Sequence, residues 1–161
     1  MNGEHIKLDL GSGNPEEGEI QPAGYVLQDA VAHKNISLVC RIEDLDKHVK
    51  KGQCQKIRAS HVIEHFPTNE IVPMLRVWHS LLEDNGELEI HTPNLRWHAA
   101  LFLDDRDEEA INYMFGGQRD DLDFHKTGFT PRVLMIRLNE AGFKIVDCVA
   151  ENSIHINAVK E

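Results

Sequence analysis

The apolar positions of this chain recur with two periods, and each change of period marks the edge of an element. Ile6, Leu8 and Leu10 alternate with Lys7 and Asp9, the pattern of a strand, and the run stops at Gly11-Ser12-Gly13-Asn14, a turn that needs backbone freedom. Pro15 to Gly24 holds two prolines and two glycines, so it reads as a loop where a helix would otherwise follow. Tyr25–Asp29, Ser37–Arg41, Lys56–Ser60 and Glu87–His91 read as four further strands. Lys144–Val149 and Ile154–Val159 end the chain as two more, joined by a tight Glu151-Asn152-Ser153 turn. Such closeness predicts an antiparallel pair, because a parallel crossover needs about a dozen residues or more.

Helical spacing appears between these strands. Thr68 and Asn69 are expected to cap a helix with Ile71, Leu75, Trp78 and Leu82 on its apolar side, Pro73 near its start and Asn85-Gly86 at its end; Trp78 reads as core. Thr130-Pro131 opens a second helix with a capping hydroxyl and a proline at the first turn. Val133, Leu134, Leu138 and Ala141 are expected to line its buried side, and Gly142 stops it. From Leu95 to Lys126 the pattern is irregular, which predicts one or two short helices over the strand ends and then a loop through Gly116-Gly117-Gln118. Asp104 to Glu109 is an acidic run that reads as a solvated helix start.

Composition narrows the function classes. At 161 residues, with 41% hydrophobic and 27% charged, the chain reads as one globular domain spanning 1–161. Its net charge of -10 argues against nucleic acid and anionic membranes as partners. No stretch approaches the roughly 18 apolar residues of a membrane span. The first residues lack the build of a signal peptide, so a cytoplasmic location is expected. Cys40, Cys54 and Cys148 read as reduced thiols, with Cys40 and Cys148 expected in the core.

Three features carry candidate chemistry. A glycine turn ending a strand lets backbone amides approach a nucleotide-like ligand, and Asp29, at the tip of the next strand, suits a ribose diol or a strand-end cap. With no helix after the turn to hold a pyrophosphate, the ligand should lack one. Asp44, just past the third strand, reads as an adenine acceptor or as a cap. His61-x-x-Glu64-His65 matches an inverted zinc-protease pattern, with Glu140 as a conceivable third ligand. That pattern needs a helix, whereas here a strand runs into it and Pro67 closes it after one turn. The competing reading places His61, Glu64 and His65 as pocket-lining groups at a strand's edge.

Taken in order, these segments resemble the class I S-adenosylmethionine-dependent methyltransferases, in their small type 11-like branch. Leu8-Asp9-Leu10-Gly11-Ser12-Gly13-Asn14 is similar to that family's first motif, and Ala59-Ser60-His61-Val62-Ile63-Glu64-His65-Phe66 to its post-strand motif. Leu82-Glu83-Asp84-Asn85-Gly86-Glu87-Leu88 and His125-Lys126-Thr127-Gly128-Phe129-Thr130-Pro131 with Ala141-Gly142-Phe143 resemble its later segments. The resemblance implies a Rossmann-like, doubly wound, mostly parallel seven-stranded sheet with a C-terminal antiparallel hairpin, the helix after the first strand being shortened or missing. It implies S-adenosylmethionine held by Asp9, Gly11, Ser12, Gly13 and Asn14 at its methionine end. Asp29 would take the ribose and Asp44 with Leu45 the adenine, while Ser60 and His61 close the pocket beside the sulfonium. His61, His65 and His125 are the candidate bases, no metal is expected, and the acceptor is a small or glycan-like molecule. The family's third glycine is absent, Gln55 stands where it often has Asp, and no helix precedes Ile6. An open site, or one completed by a second copy in a homodimer, is therefore expected. Two rivals stand beside this reading: a degenerate, non-catalytic binding module, and the zinc hydrolase.

Overall fold

The structure, a computed structural model, describes residues 5–14 and 21–161. Its strands are β1 (Ile6–Leu10), β2 (Val26–Asp29), β3 (Leu38–Val39), β4 (Cys54–Ser60), β5 (Leu82–Pro93), β6 (Phe143–Ala150) and β7 (Ser153–Lys160). They form one sheet in the order β3-β2-β1-β4-β5-β7-β6. β1 to β5 run parallel, and β7 is antiparallel to both β5 and β6. The expected α/β sheet with its terminal hairpin is thus the architecture found. The expected shortening of the helix after β1 falls on residues 15–20, which lie outside the described residues.

Alternation in the sequence becomes two unlike faces. Leu8, Ile57, Leu88 and Ala158 stand opposite one another on β1, β4, β5 and β7, and all four are buried. They join a core with Ile71, Leu75 and Trp78 of α2 (Thr68–Leu81) and Leu134 and Leu138 of α5 (Pro131–Glu140). One residue along, Asp9, Arg58, Glu89 and Asn157 stand opposite one another on the other face. There Arg58 donates to Asp9 at 2.7 Å, and the Lys56 ammonium lies 2.6 Å from Glu89. A one-residue slip would exchange these faces, so the register is strongly specified.

The remaining helices are short: α1 (Leu45–His48), α3 (Leu95–Ala100) and α4 (Asp107–Phe115), the last two being the pair expected over the strand ends. Among the described residues no helix is long and apolar enough to cross a membrane. Several local expectations are corrected. α2 begins after Pro67 without a side-chain cap, because Thr68 is already helical and its hydroxyl pairs with Thr127 at 2.8 Å. The helix ends at Leu81, since Leu82 pairs with Cys54 to start β5, and Asn85 takes a left-handed turn inside that strand. Val133 is 38% exposed; Thr130 caps α5 as expected, but within the helix Leu134 and Leu138 are the buried residues, with Met135 partly buried against the core. Cys40 and Cys148 pack against the core as expected but only partly buried, whereas Cys54 is fully buried, and burial pushes it up to about 12.

Two glycine substitutions separate strain from crowding. Gly24 has a positive φ with open space around it, whereas at Gly11, also at positive φ, an added Cβ would meet Val62 Cγ2 at 2.7 Å. Urea denaturation is expected to show a cost of about 1–2 kcal/mol for Gly24→Ala from the left-handed backbone. Gly11→Ala should cost about 1–3 kcal/mol more; equal costs would show that the Val62 contact gives way freely.

Acid sensitivity follows from two histidines outside the cleft. Burial holds His79 and His91 below the ordinary histidine range, with Lys160 adding to the effect at His79 and His155 at His91. The unfolded chain therefore binds protons first, and stability present above about pH 6.5 is lost as pH falls through the lowered values. Melting temperature should drop between about pH 7.5 and about pH 5.5, above the range where carboxylates titrate. His91→Gln is expected to drop less over that window, and a drop as large as that of the native chain would place the acid sensitivity elsewhere.

Candidate functional site

Strand order reverses between β1 and β4, so the loops leaving their C-terminal ends diverge and leave a crevice. A cleft of about 480 Å³ opens there. Its first wall is the glycine turn. Asp9 and Ser12 are buried beneath it, the Ser12 hydroxyl donating to Asp9 Oδ2 at 2.8 Å while Arg58 holds the other oxygen. Gln28 is 0% exposed; its carboxamide oxygen accepts from the Gly11 N–H at 3.1 Å and its amide donates to the Cys40 carbonyl at 2.6 Å. Asp29 accepts from the Gly13 N–H at 2.8 Å and from the Val31 N–H at 2.9 Å. A carboxylate offers about four acceptor positions, so Asp29 is oriented and keeps capacity toward the cleft.

The second wall is the stretch after β4. His61 takes a left-handed φ of 54° and its N–H donates to the His91 carbonyl. Val62 turns inward, and Ile63–His65 forms a single 3-10 turn closed by Pro67, too short for the helical zinc pattern. Glu64 is 1% exposed, with Oε2 accepting from the Thr92 hydroxyl at 3.0 Å. His61 Nδ1 stands 3.2 Å from Oε1 but outside hydrogen-bond geometry, so that buried oxygen has a charge neighbour without a hydrogen-bond donor. His65 Nδ1 donates to the Phe124 carbonyl and His125 Nδ1 to the Tyr113 carbonyl. Burial holds His65 below its ordinary value, with His125 adding to the effect and Glu64 opposing it.

Of the residues named from the sequence, Gly11, Gly13, Asn14, Asp29, His61 and His65 line the cleft. Asp9 and Ser12 brace its floor from below. Ser60 ends β4 without reaching the cleft lining, and His125 lines a separate void of about 10 Å³ with Glu64 and His98. Asp44 pairs with Lys47 and Leu45 is buried, both behind a wall whose cleft-facing residues are Ile42 and Glu43. Glu140 pairs with Arg137 at the end of α5, away from His61, Glu64 and His65; the zinc set drawn from the sequence is not assembled. Sequence reading missed Gln28, Ile42, Glu43, Val62 and Phe66 as cleft residues. Gln28 was detectable as a polar residue inside the apolar run Val26-Leu27, where a buried amide demands partners.

No family model matches the sequence, and no curated protein matches it. Solved structures do. One is a possible histamine N-methyltransferase, dependent on S-adenosylmethionine, from Thermotoga maritima, with TM-score 0.66 and 15% identity over 100% of this chain and 84% of that one. Another is 1,6-didemethyltoxoflavin-N1-methyltransferase of Burkholderia thailandensis, solved with its substrate and S-adenosylhomocysteine, with TM-score 0.64 and 15% identity over 98% and 71%. An S-adenosylmethionine-dependent methyltransferase from Archaeoglobus fulgidus matches at TM-score 0.64 and 15% identity over 98% and 87%. Identity this low speaks for the backbone and leaves the chemistry to this chain's own residues. The chain has the class I, Rossmann-like fold of the S-adenosylmethionine-dependent methyltransferases.

Proposed function

We propose that the protein binds S-adenosylmethionine in the cleft between β1 and β4 and transfers its methyl group to a small-molecule acceptor. One observation carries this reading: the Asp29 carboxylate, at the end of β2, is pinned to the Gly13 N–H on the cleft wall with acceptor capacity left over. The cleft volume of about 480 Å³ suits a ligand of this size. The close packing of Gly11 on Val62, where a Cβ would collide, keeps the turn tight enough for its backbone to meet an amino-acid end.

The chemistry the bound cofactor supplies is a methyl group already activated on a sulfonium. The protein's share is then alignment and exclusion of water. Gly11, Gly13 and Asn14 hold the amino-acid end, Asp29 the ribose hydroxyls, and Ile42 with Glu43 the adenine. His61 and His65 face the cleft from the opposite wall. His61, its Nδ1 3.2 Å from the Glu64 carboxylate, is the group this reading assigns to take a proton from an oxygen or nitrogen acceptor. His125, off the cleft, is not assigned as a base.

Calorimetric titration with S-adenosylmethionine, and separately with S-adenosylhomocysteine, tests the reading. Micromolar binding is expected, with Asp29→Ala weakening it by about tenfold or more through the loss of charge-assisted hydrogen bonds. Asp44→Ala should stay within about twofold, because an exposed ion pair with Lys47 contributes little. No heat with either ligand from folded protein would overturn the proposal and leave a non-catalytic module of the same fold.

A further inference from the structure

Behind the cleft wall, three side chains of metal-ligating type converge that neither the fold nor the proposed reaction needs together. The ligand atoms of Glu64, His65 and His125 lie within 4.8 Å of one another. We propose that Glu64, His65 and His125 form a divalent-cation site, of the two-histidine, one-carboxylate kind that zinc takes, in the partition between the main cleft and the small void behind it. It shares Glu64 and His65 with the surroundings of His61 and the cleft, but its test is separate from the methyltransferase reading, because metal binding is read without cofactor or acceptor.

Three independent features support it. First, the tautomers are set. His65 and His125 each spend Nδ1–H on a backbone carbonyl, Phe124 and Tyr113 respectively, which leaves the Nε2 lone pair of each ring to ligate. Second, the backbones that carry the ligands are tied together. Glu64 and His65 are neighbours in one 3-10 turn, and the Glu64 carbonyl accepts from both Lys126 N–H, at 2.8 Å, and Thr127 N–H, at 3.1 Å. His125 is thereby held beside Glu64 although about sixty residues separate them in the chain.

Third, polar atoms are left over around the void. Glu64 and His125 line a space of about 10 Å³, the room for a single ion or water. Glu64 Oε1, buried, has no hydrogen-bond partner, and neither does Nδ1 of His98, which lines the same void and is 2% exposed. A carboxylate oxygen kept dry and without a donor is destabilising, a penalty a cation would remove. Thr92 on the other carboxylate oxygen, and the two carbonyls on the rings, supply the outer hydrogen bonds that orient metal ligands. Bonds of about 2.0–2.2 Å would draw the three atoms together by roughly an ångström, which side-chain rotation provides. His65 also lines the cleft, so the site borders it.

The experiment is equilibrium dialysis of the untagged full chain against zinc chloride, with cobalt chloride as a visible-spectrum probe. One zinc per chain is expected, and cobalt should give d–d bands of a low-coordinate nitrogen and oxygen site. His125→Ala, a half-buried loop position, should weaken zinc by roughly a hundredfold or more, since losing a ligand exceeds the loss from an outer-shell partner. His155→Ala should leave it unchanged, although His155 stacks on His91 at 4.1 Å and forms the rival histidine pair. Should His125→Ala fail to fold, zinc-dependent shifts of the His65 and His125 ring nitrogens in the native chain by NMR give the same readout. Absence of stoichiometric zinc at micromolar concentration, with ring signals unmoved, would overturn the site and leave a water bridging Glu64 and His98. Loss of zinc in His155→Ala, with binding kept in His125→Ala, would overturn it as well.

Discussion

The close approach of Gly11 to Val62 sets the geometry on which both walls of the cleft depend. Parallel strands leave no room for a tight connection, so the loops after β1 and β4 meet only where strand order reverses. At that point the missing Cβ of Gly11 admits the Val62 methyl to 2.7 Å from where a Cβ would stand. Drawing the first loop in brings Gly13 N–H onto Asp29. Turning Val62 inward starts the 3-10 turn that points Glu64 into the partition and His65 at the cleft. The glycine-turn wall and the histidine-bearing wall thus meet at one packing contact.

Buried polar side chains then fix what packing alone would leave loose. Gln28 satisfies both ends of its amide, one on the glycine turn and one on the chain just past β3, so three strands are registered at their C-terminal ends. Asp9 does the same for Ser12 and Arg58. Such networks are stabilising only when every member is paired, and these two are. Glu64 is less complete: one oxygen is held by Thr92, and the other, 3.2 Å from His61 Nδ1, has no hydrogen-bond donor, a state shared with Trp78 Nε1, His79 Nε2 and His98 Nδ1.

Legibility in the sequence divided along the same line. Alternation in Glu87-Leu88-Glu89-Ile90-His91 and the capped start at Thr130-Pro131 are local, and the strands and helix they predict are found. The short turn at 151–153 likewise leads to the antiparallel hairpin. Where tertiary contacts decide, the reading slipped. Thr68 turns from cap to partner of Thr127, and Val133 faces outward because the helix turns Leu134, Met135 and Leu138 to the core. The wall attributed to Asp44 and Leu45 is made by Ile42 and Glu43, since β3 ends at Val39 and the following turn starts earlier than its strand-like run implied. His65 and His125 were each visible as histidines. Their convergence was not, because it rests on Lys126 and Thr127 bonding back to Glu64.

Charge explains which ligand such a cleft favours. The chain is acidic, and a negative field alone would raise every histidine, yet His65, His79, His91 and His98 all sit below their ordinary value. Burial acts at contact range, whereas the net charge is screened within about 8–10 Å, so burial wins. Of these four only His65 lines the cleft, and burial works there against its positive charge. Formal charge on the lining is left to Asp29, Glu43, Glu70, Asp120 and Asp123 against Arg41, Arg119 and Lys126. That balance is net negative, with the Glu64 carboxylate just behind it. A field of this sign repels a pyrophosphate and favours a cationic ligand.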